Sequence, residues 1–238
     1  GNDRARLSKR HGAMSVTEYR DMGYLPDALI NYLVRLGWSH GDQEFFTRKE
    51  LIEKFTLDNI GHSASIFDLE KLQALNANHI QAARPASLID PLFPFLEKTG
   101  LPISKGPFME KAIETLQPRS KTLEDMATQA AFYFQEKIVY DEKAAKKFLT
   151  PAALPNMELL AEELEKIDVF DENALENAFA SVMEKTALKL GKIAQPVRVA
   201  LTGRTASPGI FEIMAVLGKE KTIKRVREAI AYLTEQSQ

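Results

Sequence analysis

The 238-residue chain contains no cysteine, which excludes disulfide staples and thiolate zinc sites and fits a reducing compartment. It has no apolar run long enough to span a bilayer. Residues 1–10 are polar and basic and lack the apolar core of a signal peptide. A surplus of either charge is missing too. Lys and Arg number 31 against 33 Asp and Glu, so a polyanion partner would need basic residues gathered on one face. Sustained two-residue alternation is absent, and so is the strand–helix alternation of a parallel sheet. His11, His40, His62 and His79 are scattered without the i, i+4 pairing of a metal site, and no metal is expected. There is no initiator Met, and the chain opens in what reads as a catalytic loop, so it is expected to be a fragment of a longer protein.

What is present is helical periodicity with helix punctuation. Pro26 stands in the first turn of a helix, where a missing N–H costs little, and Leu29, Leu33 and Leu36 form a stripe that Gly37 ends. Thr47 and Glu50 have the spacing of a capping box, ahead of Leu51, Ile52 and Phe55 as the buried side. A helix over 66–80 carries Leu69, Leu72 and Leu75, with Asp68 and Glu70 as acids at its start. Pro85, Pro91, Pro94, Pro102 and Pro107 then require short helices, because each removes a donor and disfavours helix in the residue before it. A domain boundary is placed at Arg84-Pro85. Thr122 caps a helix whose buried face is Leu123, Met126, Ala127, Ala130 and Phe134. Leu160 and Leu164 mark another, and Asp171 caps a third with Leu175, Phe179 and Val182 inside. Ile210, Ile213, Met214 and Leu217 make a stripe stopped by Gly218, after which Thr222 caps the last helix. The expected fold class is all-α, in consecutive small helical domains.

Arg6-Leu7-Ser8-Lys9-Arg10 gathers three cations around one small hydroxyl, just before Gly12. Such a loop suits stabilisation of a phosphate chain, since charge on transferring phosphates needs nearby donors; taken alone it is more often a solvated surface feature. The run through His11-Gly12 resembles the KMSKS-type signature of class I aminoacyl-tRNA synthetases, in the form found in glutamyl-tRNA synthetases. The match continues through Asn31-Tyr32-Leu33, Leu36-Gly37-Trp38, Phe67-Asp68, Lys71-Leu72, Leu75-Asn76 and Thr122-Leu123-Glu124. It reappears over residues 195–203, in Ser207-Pro208-Gly209-Ile210-Phe211 and in Leu217-Gly218-Lys219-Glu220.

The resemblance implies the carboxy-terminal half of a bacterial-type glutamyl-tRNA synthetase. It implies a signature loop and helical stem-contact region in 1–84, a first helical anticodon-binding subdomain in 85–131 and a second in 132–238. Lys9 would contact ATP phosphates during amino acid activation, with Ser8 and Arg10 beside it. Arg6 stands where the family usually has Lys, keeping the charge but not the point-like ammonium, and Ala74 stands where it commonly has Trp. Activation needs a nucleotide-binding fold with a HIGH-type motif, and neither is readable here. ATP, Mg2+ and L-glutamate are therefore expected at the whole enzyme, and this part alone is expected to be inactive. The implied partner is tRNA(Glu), the setting cytoplasmic, the state monomeric, with no membrane.

Sequence-specific RNA recognition targets unstacked bases through their edges and faces. By resemblance Arg119 matches the arginine that tests the third anticodon base, accepting C and rejecting G. A guanidinium only donates, so it selects an acceptor-rich edge. Its presence implies a discriminating enzyme; a solvated or ion-paired arginine is the plainer alternative. Arg198 resembles the arginine that contacts the first anticodon base. Ser207, Pro208 and Phe211 begin a helix whose free N–H groups can meet bases or phosphates, although Phe211 adjoins the Ile210/Met214 stripe and reads slightly more as core. Lys219, Lys221, Lys224, Arg225 and Arg227 make the last helix basic, which suits phosphate contact but by default is a solvated face. Trp38 reads as a packing anchor. Two other readings are an enzyme that also charges glutamine tRNA, and a stand-alone, non-enzymatic helical RNA-binding module.

Overall fold

The computed structural model describes residues 14–61 and 64–236. Among these residues the chain is all-α, as expected, with one isolated bridge between Trp38 and Ile60 in place of strands. The helices are α1 (Val16–Asp21), α2 (Pro26–Arg35), α3 (Arg48–Lys54), α4 (Leu69–Ala82), α5 (Pro85–Glu97) and α6 (Pro107–Leu116). They continue as α7 (Leu123–Phe134), α8 (Glu142–Phe148), α9 (Leu154–Glu165), α10 (Glu172–Thr186), α11 (Leu190–Thr202) and α12 (Ile210–Gln236). The chain forms two compact units. Described residues up to Gly100, with Leu116–Thr128, make one; Leu101–Thr115, with those from Gln129 onward, make the other.

In the first unit the helix starts follow local chemistry. The Thr47–Glu50 box is formed: Glu50 N–H donates to Thr47 Oγ1 at 3.2 Å and Thr47 N–H donates to Glu50 Oε2 at 2.8 Å. The Thr47 N–H and hydroxyl, with Gln43 Nε2, donate to the Glu50 carboxylate and hold it down at about 2. Asp68 accepts from the N–H groups of Glu70 and Lys71. The core gathers Tyr19, Tyr24, Leu29, Tyr32, Leu72 and Leu75, with Trp38, Phe46 and Leu51 as a second cluster. Trp38 is thus a packing anchor. Two stripes are narrower than their spacing suggested: Leu33 is 46% exposed and Ile52 77% exposed. Leu51 is the buried residue of α3, and Arg48 ties the helix to Asp27 of α2, so the flanking apolar positions stay in water.

The prolines do not shorten α5, which runs 13 residues through Pro91 and Pro94. Pro85 fills the first turn. Pro91 and Pro94 cannot donate to the carbonyls four residues back, those of Ser87 and Asp90, and both residues are exposed. Leu88, Leu92 and Leu96, at 2%, 0% and 0% exposure, bury one continuous edge, each contributing roughly 1.5–3 kcal/mol.

The second unit is built from α9 to α12 with α8 against α11. Leu160, Leu164, Leu175, Val182, Ile213, Met214, Val226 and Leu233 are fully buried in it. Asp171 caps α10 through Ala174 N–H at 2.8 Å, and Asp141 caps α8 through Ala144 N–H at 2.8 Å. Gly218, at φ 77° and ψ 168°, breaks α12 as expected. Thr222 is not the cap that follows. The helix resumes directly after Gly218, so Thr222 already lies inside it, buried, with its hydroxyl 3.5 Å from the Met214 carbonyl.

Candidate nucleic-acid interface

Lys9, Ser8 and Arg10 lie outside the described residues. Among those described, no group of three or more His, Asp or Glu is placed to hold a metal ion, and no helix is long and apolar enough to cross a membrane.

Arg119 ends a short 3-10 turn, Gln117–Arg119, in the first unit. The turn is held by amides. Gln117 is buried and its Nε2 donates to the Ile80 and Ala83 carbonyls, 2.6 and 2.8 Å away, at the end of α4. These are carbonyls that a helix end leaves without internal partners. Ser120 Oγ donates to the Leu116 carbonyl at 2.8 Å. Asn76, fully buried, donates to the Lys121 carbonyl at 2.6 Å and accepts from Leu25 N–H at 2.8 Å. Leu123 N–H closes on the Gly23 carbonyl at 2.9 Å. The backbone around Arg119 is therefore fixed from both sides while its side chain is exposed.

Arg198, Ser207 and Pro208 come together in the second unit. Arg198 Nη1 donates to the Pro208 carbonyl at 2.6 Å and to both Ser207 oxygens, and the Ser207 hydroxyl donates to the Pro208 carbonyl at 3.0 Å. At the other end of the same loop Gly203 terminates α11 at φ 75°, and a Cβ there would sit 2.3 Å from the Val139 carbonyl. Asp141 N–H donates to the Gly203 carbonyl at 2.9 Å. The buried Thr202 hydroxyl donates to the Arg198 carbonyl at 2.8 Å and accepts from Arg204 N–H at 3.2 Å. Between these anchors Arg204, Thr205 and Ala206 are exposed. Phe211 is half-buried and packs edge-on against Phe179, 5.1 Å between ring centres.

The basic last helix is divided: Lys219, Lys221 and Arg225 bond backbone carbonyls, while Lys224 and Arg227 are exposed in ion pairs. Arg225 is 1% exposed. It donates to the Leu201, Phe132 and Gln135 carbonyls at 2.8, 2.8 and 2.6 Å. Lys221 donates to the Tyr133 carbonyl, and Lys219 to those of Glu165 and Ile167. These acceptors lie at the ends of α7, α9 and α11, where unpaired carbonyls and the negative end of the helix dipole favour a cation. Burial pushes Arg225 down to about 10, still charged at neutral pH. Lys224 pairs with Glu136 and Arg227 with Glu165.

The spacing rules did not single out Gln117 and Asn76 as holders of the Arg119 turn, nor Arg204. A buried amide whose partners are 34 to 51 residues away leaves no local pattern. The signal for Arg204 was its place, a cation in a polar stretch between two helices.

The all-helical units thus present Arg119 on a turn held by buried amides and Arg204 on a loop held at both ends. The family model described as "Anticodon binding domain" matches residues 69–230, and that described as "tRNA synthetases class I (E and Q), catalytic domain" matches residues 1–74. The chain therefore belongs to the anticodon binding domain family. Its curated relatives include a glutamate–tRNA ligase of Desulfosudis oleivorans, 58% identical over 97% of this chain and 49% of that protein. Another is the glutamate–tRNA ligase of Syntrophobacter fumaroxidans, 53% identical over 100% of this chain and 51% of that protein. A crystal structure of a glutamate tRNA ligase from Elizabethkingia meningosepticum, in complex with its amino acid, matches with a TM-score of 0.83 at 27% identity, over 97% of this chain and 49% of that one. The resemblance to glutamyl-tRNA synthetases is borne out. The chain spans about half the length of the curated relatives it matches.

Proposed function

We propose that the chain is the tRNA-gripping and anticodon-reading part of a glutamate–tRNA ligase, which joins L-glutamate to tRNA(Glu) with ATP through a glutamyl adenylate. The observation that carries this reading is the anticodon binding domain match over residues 69–230 in a chain whose relatives bear that enzyme's name over nearly its whole length. In this reading 1–84 hold the signature loop and face the stem, while 85–131 and 132–238 face the anticodon loop. Lys9, beside Ser8 and Arg10, contacts the ATP phosphates; ATP with Mg2+ supplies the activation of the carboxylate when bound to the whole enzyme. That enzyme acts as a monomer in the cytoplasm. Arg119 tests the third anticodon base and Arg198 the first, with Ser207 and Phe211 beside it; Pro208, named with them from the sequence, is buried and holds Arg198 through its carbonyl. The exposure of Arg119 on a fixed turn favours the discriminating form of the enzyme.

The test is binding of the chain to an anticodon stem-loop of tRNA(Glu), and to one with the last anticodon base changed from C to G, at fixed salt. The expected result is at least a roughly tenfold preference for C, lost in Arg119→Gln. Equal binding of both loops by the unaltered chain would overturn the discriminating reading. Binding no better than to an unrelated hairpin would overturn the function itself. In the whole enzyme Lys9→Ala should slow adenylate formation far more than it weakens tRNA binding.

A further inference from the structure

Resting on that reading, we infer that Arg204, at the exposed tip of the loop between α11 and α12, contacts the phosphate backbone of the RNA whose bases the neighbouring residues read. Three observations point there. The loop is anchored at both ends by buried or half-buried polar groups: Thr202 holds Arg204 N–H on one side, and Arg198 Nη1 holds Ser207 and Pro208 on the other. Gly203, in a conformation and a space that exclude any side chain, is bonded through its carbonyl to Asp141 N–H. A segment fixed this firmly while its tip stays in solvent has the form of a recognition loop set on a rigid scaffold.

The second observation is how the cations are used. In this unit Lys219, Lys221 and Arg225 are spent on helix ends, and Arg198 Nη1 on its own loop. Arg204 is exposed, and its backbone N–H is held by the Thr202 hydroxyl. The third is the company it keeps. Thr205 and Ala206 are small and exposed, so a hydrated anionic backbone can approach closely; Val139, whose carbonyl faces Gly203, is the exposed apolar neighbour on that side. Arg198 is then a positioning residue through Nη1, and Arg204 supplies charge.

The test measures binding of the chain to the tRNA(Glu) anticodon stem-loop across a salt series. Each phosphate contact on a single strand contributes about 0.7 to the slope of log K against log salt. Arg204→Ala should lower that slope by about 0.7, weaken binding several-fold at low salt, and leave the C-over-G preference unchanged. Arg204→Lys should restore the slope. Because the bonds at Arg204 are made by its backbone, the alanine variant keeps them, and an unchanged melting temperature verifies folding. An unchanged slope in Arg204→Ala overturns the inference while leaving the function standing, as does a slope that falls only in Arg198→Gln. Failure of the unaltered chain to prefer the stem-loop over an unrelated hairpin overturns both.

Discussion

The two units solve one problem with different chemistry. Each must satisfy backbone groups that helix ends and turns leave bare in the interior. The first unit uses neutral amides: Asn31 bridges the Glu44 carbonyl and Phe46 N–H, Asn76 bridges Leu25 and Lys121, and Gln117 holds the end of α4. The second uses cations from a single helix, α12, to hold the ends of α7, α9 and α11. An amide donates and accepts, so it fits a turn where both kinds of group are bare. A guanidinium only donates, so it fits where carbonyls converge. The lesson is that a basic helix in this family fold is no guide to an RNA surface until its carbonyl partners are counted.

The contrast can be broken first at Arg225. Arg225→Met leaves three carbonyls without a donor and should destabilise the second unit by on the order of 3–5 kcal/mol, read by urea denaturation. A loss below about 1 kcal/mol would mean that water replaces the guanidinium. Asn76→Ala removes two bonds and should cost about 2–4 kcal/mol, confined to the first unit and read by hydrogen exchange there. Loss of protection in the second unit instead would contradict the separation. Thr47→Ala and Asp171→Ala, one cap in each unit, should cost about 1 kcal/mol apiece in thermal melts, since N-cap chemistry is common to both.

The smallest effect is a pH dependence that only the first unit should show. Asn31 Nδ2 donates to the Glu44 carbonyl and its Oδ1 accepts from Phe46, so His79 Nε2, 3.1 Å from Oδ1, must donate. Burial pushes the His79 pKa below its ordinary value of about 6.5. Between the folded and unfolded values the unfolded chain binds more protons. Stability therefore falls as pH drops through about 6.5, and stops falling once folded His79 itself is protonated. His79→Gln keeps the donor without titrating, and melts at pH values on either side of that window should then differ less than in the unaltered chain.

How much of this was legible in advance follows from the distance over which each feature acts. The caps read at Thr47, Thr122 and Asp171 pair a side chain with an N–H three residues on, and all three are present; Asp68, read as an acid within a helix from 66, is the cap of one from 69, and Thr222 is no cap. The buried face Leu123, Met126, Ala127, Ala130 and Phe134 follows from a period of 3.6. The exposure of Leu33 and Ile52 does not, because periodicity says which residues share a face and not how much of that face meets a neighbour. The length of α5 was misread because the prolines were weighed without knowing that Ser87 and Asp90, four residues before them, lie on the exposed side of the helix.

By itself the sequence determined the helical class, the capped starts at Thr47, Thr122 and Asp171, the Gly218 break and the family, since all of these reside in residue identities and near-neighbour spacing. Only the tertiary structure decided what the cations of α12 do, what holds the Arg119 turn, and that Arg204 rather than Arg198 is left in solvent. The reason is separation along the chain. Arg225 meets the Phe132 carbonyl across 93 residues and Gln117 meets Ile80 across 37, and no local pattern carries information over such a span until packing brings the ends together.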